Sequence, residues 1–212
     1  MKLKYTLVIL FLSFSIVSFS QQMPIDFEFG THNFNAFGNS SFSLNTDPDD
    51  SSNNVGQFFN DGTEPWQGFY IDLDQPIDLA QAQVITLSFY QFDPNEHNIY
   101  VKLENGSNAD VEVVQTNSGD GWTTGITFDF ANATFSGTST SVNATGSYTR
   151  LVILIDGGIT TPGTYLLDDI TDGSTPTDPN ELDVIYTDLV WADAFDTHGA
   201  VASAKWFRQT QI

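Results

Sequence analysis

The chain has 212 residues, with 6 Lys+Arg against 27 Asp+Glu, a formal net charge of -21 and no Cys. The acid excess opposes nucleic-acid phosphates and anionic membrane surfaces, so neither a nucleic-acid partner nor membrane insertion is expected. The lack of Cys excludes disulfides, thiolate metal centres and cysteine nucleophiles. Charged residues are few (16%) and aromatics many (14%), which suits a secreted all-β protein better than a helical one.

Residues 1–20 read as a secretory signal peptide. Lys2 and Lys4 form a basic start, 5–19 is an apolar run with interspersed Ser, and Ser18 and Ser20 are small residues before a cut at Gln21. A run of about 15 falls short of the ~20 residues of a spanning helix. The expected location is therefore extracellular or periplasmic. A secreted acidic chain without disulfides needs another staple, and Ca²⁺ is the obvious one.

From 21 to 170 the dominant pattern is period-two alternation. Residues 25–29 read as a first strand. In 68–74, Phe69, Ile71 and Leu73 alternate with Tyr70, Asp72 and Asp74; in 84–92, Ile85, Leu87 and Phe89 alternate with Thr86, Ser88 and Tyr90. In 98–104, Ile99, Val101 and Leu103 share one face, and Tyr100, Lys102 and Glu104 the other. Ile126, Phe128 and Phe130 line one side of 122–130, 149–156 is apolar on both faces like a central strand, and 163–170 reads as a last strand. About eight or nine such strands predict an all-β, antiparallel two-sheet β-sandwich of jelly-roll type. A linker is expected over 171–183. Residues 184–212 carry Trp191, Phe195, Trp206 and Phe207 in a stretch too short to bury them, so they read as the truncated start of a second β-sandwich. A monomer is expected.

Both ends of the mature chain carry a family resemblance. The run LVWADAFDTHGAVASAKWFRQTQ (189–211) resembles the opening of the catalytic domain of glycoside hydrolase family 16, in particular bacterial laminarinases (endo-β-1,3-glucanases). Val190, Trp191, Asp193, Phe195, Lys205 and Trp206 fit that opening, and Ala194 departs from the usual Glu. EPWQGFYIDLDQPIDL (64–79), 85–113, 119–134 and TYLLDDI (164–170) resemble the jelly-roll carbohydrate-binding module that precedes such domains. The resemblance implies two catalytic Glu side chains on one strand face, spaced as E-x-D-x-x-E or E-x-D-x-E, acting as nucleophile and acid/base. Glu occurs at 28, 64, 96, 104, 112 and 181, and no two have that spacing, so no catalytic residue is assigned.

The resemblance also implies a structural Ca²⁺ held by Glu28 from the first strand and by Asp168 or Asp169 from the last; strand alternation puts those two aspartates on opposite faces. The plainer alternative is solvated acids guarding a sheet edge. Asp47, Asp49 and Asp50 read as turn residues. For sugar binding, Tyr70, Tyr90, Tyr100 and Lys102 are expected on outward faces and Trp66 on a loop fixed by Pro65. Aromatic rings match the C–H patches of a pyranose, and polar groups match its hydroxyl edge. Tyrosines that merely suit a half-buried strand, and a Trp that plugs the sandwich end, are the alternatives. Trp122 is expected in the core, His97 on the surface, and Arg150 beside a neighbouring acid. These readings lead to a non-catalytic carbohydrate-binding module for a neutral polysaccharide, of laminarin-type β-1,3-glucan, from a polysaccharide-degrading enzyme. A full-length family 16 endo-glucanase and a calcium-stabilised adhesion sandwich are the alternatives.

Overall fold

The structure, a computed structural model, describes residues 21–28 and 32–175. The expected signal peptide, the linker beyond Thr175 and the 184–212 fragment lie outside the described residues. In chain order the strands are β1 (Asn35–Phe37), β2 (Ser40–Thr46), β3 (Asn54–Asn60), β4 (Gly68–Asp78), β5 (Val84–Gln91) and β6 (His97–Gly106). They continue with β7 (Val111–Asn117), β8 (Gly121–Asp129), β9 (Ala133–Phe135), β10 (Ser141–Val142), β11 (Ser147–Ile155) and β12 (Gly163–Thr171). One 3₁₀ turn, Phe130–Asn132, follows β8 and is capped by the Asp129 side chain accepting from the Ala131 amide.

Two antiparallel sheets result. One has the order β1-β4-β11-β6-β7-β9-β10 and the other β2-β3-β12-β5-β8. The expected two-sheet sandwich is what the chain forms. Its alternation has a direct physical cause: successive side chains of a strand point to opposite faces, so the apolar set of each strand is buried between the sheets. Ile99, Val101 and Leu103 of β6 are fully buried, as are Ile85, Leu87 and Phe89 of β5. The doubly apolar 149–156 stretch is β11, which lies between β4 and β6 and is buried from Leu151 to Ile155.

Rings from both sheets meet in the core. Phe58 of β3 crosses Phe69 of β4 with centroids 4.7 Å apart at 88°, and Phe42 and Phe34 pack on Phe58 at 5.2 and 5.1 Å. Such edge-to-face pairs add to the burial of large apolar surfaces. Between β1 and β2, Gly38 and Asn39 both take left-handed φ (69° and 64°), which turns the chain within two residues from one sheet into the other.

Several expectations are corrected. Residues 25–28 do not form a strand: Ile25 makes a single antiparallel bridge with Ile170, and Phe27 has a φ of 58°. β2, β3 and β7 lie outside the runs whose alternation reads clearly. β12 extends to Thr171, one residue into the expected linker.

Candidate functional site

The register of the seven-stranded sheet determines which outward side chains stand together. Phe37 pairs with Gly68, Gly68 with Leu154, Leu154 with Tyr100, and Tyr100 with Val114. The next outward row runs Asn35, Tyr70, Val152, Lys102, Glu112, and a third holds Asp72, Arg150, Glu104. The outer face of this sheet is therefore aromatic along one row and ionic along another. Gly68 leaves the space that Phe37 uses, since a Cβ there would lie 2.5 Å from the Phe37 ring.

Trp66 extends the aromatic row from the loop before β4. It is 57% exposed, stands edge-on to Tyr100 with centroids 6.4 Å apart, and lines a shallow cleft of about 260 Å³ with Gly38, Asn39, Glu64 and Pro65. It is therefore not a plug of the sandwich end.

The ionic row neutralises itself. Arg150 donates from Nε to Asp72 Oδ1 at 2.7 Å and from Nη2 to Asp72 Oδ2 at 3.0 Å, and its Nη1 lies 3.8 Å from Glu104. Lys102 Nζ is 2.6 Å from Glu104. The Arg150 guanidinium also lies 4.2 Å over the Tyr70 ring centroid, a cation–π contact that occupies one ring face. Its proton is held more firmly than usual, chiefly by the Asp72 hydrogen bonds. The expected role of Arg150 beside an acid holds, but its place in the middle of this face went unread.

Of the five expected sugar-contacting residues, Trp66, Tyr70, Tyr100 and Lys102 share this surface. Tyr90 does not join them. β5 and β6 are consecutive in the chain but belong to different sheets, so their outward sides face away from each other. Tyr90 instead packs with Phe92 (4.9 Å) and Trp122 (5.3 Å) on the five-stranded sheet. Trp122, expected in the core, is half-buried there and donates Nε1–H to Asp47 at 2.9 Å.

The acidic residues form a different arrangement from the one expected. Asp168 is buried (4% exposed) and Asp169, at a φ of 51°, follows it where the β12–β5 register shifts. This irregularity breaks the alternation, so both aspartates line one cavity of about 170 Å³ with Asp47, Asn53, Ser88, Trp122 and Thr124. Asp168 accepts from Asn53 Nδ2 at 3.0 Å and from the Asp169 amide at 2.8 Å; Ser88 donates to Asp169 at 3.2 Å. Burial, aided by the negative charges of Asp169 and Glu28, raises the Asp168 carboxyl to about 6, against the pull of its two donors. Glu28 is exposed and accepts from the Asn54 amide at 2.9 Å. Among the described residues, no three acid or imidazole side chains converge as a metal-binding group.

His97, expected on the surface, is buried (4% exposed). Its Nδ1 lies 2.6 Å from Asp156 Oδ2 and its Nε2 3.3 Å from Asp93 Oδ1. Tyr165 donates to the same Asp156 oxygen at 3.3 Å. The Asp156 hydrogen bond, followed by the charges of Asp156 and Asp93, raises the imidazole above its ordinary value despite burial. Burial, with the Asp156 charge, makes the Tyr165 hydroxyl much harder to ionise. No motif marks this cluster, because its members are separated by up to 72 residues and meet only when β11 and β12 close over the 93–98 turn.

No protein-family model matches the sequence, and no curated protein matches it. Solved structures do. The solution structure of CtCBM11 aligns with a TM-score of 0.52 at 16% identity, over 76% of this chain and 99% of that one. The family 11 carbohydrate-binding module of the cellulosomal cellulase Lic26A-Cel5E of Clostridium thermocellum aligns with a TM-score of 0.50 at 15% identity, over 72% and 94%. The described unit has the β-sandwich fold of carbohydrate-binding modules. At this identity the likeness is one of fold.

Proposed function

We propose that the described unit is a carbohydrate-binding module that holds a neutral polysaccharide, of laminarin-type β-glucan, across the outer face of its seven-stranded sheet. The observation that carries this reading is the convergence on one face of Trp66, Tyr70 and Tyr100 with an ion network of Asp72, Arg150, Glu104 and Lys102. Trp66 and the half-buried tyrosine rings supply surfaces for sugar C–H patches, and the paired ions supply fixed donors and acceptors for hydroxyls. The fold shared with family 11 modules supports the reading. Tyr70 and Tyr100 stand two strands and one outward row apart, roughly 12 Å, a span suited to a chain of sugar rings rather than to a single one.

Affinity electrophoresis of the full chain in gels containing laminarin and other β-glucans tests it. Wild type is expected to be retarded, and Trp66→Ala to lose at least ~10-fold in affinity with an unchanged melting temperature, since Trp66 is largely exposed. Unretarded wild type across the panel overturns the proposal.

The same proposal places a structural Ca²⁺ at the Glu28, Asp168 and Asp169 end of the sandwich. What supports it is the chemistry of the donors: a buried carboxyl near two other negative charges gains from a hard cation. With few side-chain ligands converging, backbone carbonyls would supply most of the coordination. The module is proposed to serve a secreted polysaccharide-degrading enzyme.

A further inference from the structure

The Asp156–Gly157–Gly158 turn after β11 touches both the buried histidine cluster and the exposed aromatic row. Asp156, at a φ of 56°, is fixed from below: its amide donates to the Asn98 carbonyl at 2.8 Å, its Oδ1 accepts the Asn98 amide at 2.9 Å, and its Oδ2 meets His97 and Tyr165. The next two residues face outward and form a seat. The Gly158 amide donates to the Pro65 carbonyl, next to Trp66, and the Tyr100 hydroxyl donates to the Gly157 carbonyl at 3.4 Å. The Trp66 ring lies directly on both glycines. A Cβ at Gly157 would stand 2.9 Å from Trp66 Cζ3 and 3.4 Å from the Tyr100 ring, and one at Gly158 would stand 3.4 Å from Trp66. At Gly157 a side chain would push the indole away, and at Gly158 the φ of 93° favours glycine.

We propose that His97 and Asp156 are positioning residues for the glycan-contacting rings: the buried pair anchors the Gly157–Gly158 seat, and the seat sets the orientation of Trp66 and its angle to Tyr100. This rests on the sugar-binding reading of the outer face. Two carboxylates, Asp156 and Asp93, accept from the two imidazole nitrogens, so the cluster is complete when His97 carries both protons. The titratable groups facing His97 are Asp93 from the β5–β6 turn, Asp156 from the end of β11 and Tyr165 from β12. When pH rises and the proton toward Asp93 leaves, the ring loses its charge, the charge-assisted Nδ1–H bond to Asp156 weakens to a neutral one, and the seat that Asp156 anchors loosens.

The test uses the full chain, with laminarin oligosaccharide as the probe. The Trp66 signal is taken as the fluorescence difference between wild type and Trp66→Phe. It is expected to change between pH 5 and 9 with a midpoint above that of a free histidine. Asp93→Asn, at an outer position of the cluster, is expected to move the midpoint down, and His97→Gln to abolish the transition. Gly157→Ala is expected to weaken laminarin binding at least ~5-fold without lowering the melting temperature, because the exposed indole can swing away. A pH-independent Trp66 signal together with wild-type binding by Gly157→Ala overturns the proposal while leaving the sugar-binding reading intact. A Trp66 transition that follows His97 in a protein that binds no glucan does the reverse.

Discussion

Asp168 shows at the scale of one residue how burial and charge act against each other. Its folded-state carboxyl titrates at about 6 against an ordinary 3.8, so between those values the folded state holds a proton that the unfolded state has released. Stability from this group therefore falls as pH rises from about 4 to about 6 and stays lower above that, by on the order of 3 kcal/mol. Asp168→Asn removes the dependence. In the presence of chelator, urea denaturation should show the variant gaining on wild type by roughly this amount between pH 4 and pH 7, and a gap constant with pH would contradict it. The sequence suggested the acid pair but not its geometry, because alternation puts Asp168 and Asp169 on opposite faces and only the left-handed Asp169 brings both to one cavity. Trp66 was legible because Pro65 and nearby glycines mark a loop. The setting of His97 was not, since a lone histidine between polar turn residues carries no trace of partners at 156 and 165.

Among the elements, the strands with clean alternation, β4, β5 and β6, could be read directly, because each has one face in the sandwich core and sterics enforce the period, and β11 could be read from its doubly apolar run as a central strand. β2 and β3 hide the same period. In β3 the outward Val55 and Phe59 are as apolar as the inward Phe58, and Gly56 sits inward where a Cβ would fall 2.6 Å from the Phe27 ring. Which strands share a sheet is not written in alternation at all, and Tyr90 was grouped with Tyr100 for that reason. Tyr90→Ala is accordingly expected to leave laminarin affinity within ~2-fold of wild type in the same gel assay, while Tyr100→Ala weakens it; a large loss from Tyr90→Ala would move the binding surface to the other sheet. Phe58 joins β3 to β4 across the core and touches three other rings. Phe58→Ala should cost about 3–5 kcal/mol, measured as a lower denaturation midpoint at unchanged slope.

For the molecule as a whole, the net charge of -21 coexists with an outer face on which Asp72, Arg150, Glu104 and Lys102 pair among themselves. Binding of a neutral glucan there should change less than ~2-fold between 50 and 500 mM NaCl, whereas an anionic or cationic ligand would show a steep salt dependence; isothermal titration at several salt concentrations separates the two. The pairings that close the two sheets join distant parts of the chain. Ile25 meets Ile170, β3 meets β12, and β4 meets β11. None of these can form before β11 and β12 have been made, so each early strand waits for a partner far along the chain. Closing the sandwich therefore means closing long loops first, and folding is expected on the millisecond-to-second scale typical of such β topologies.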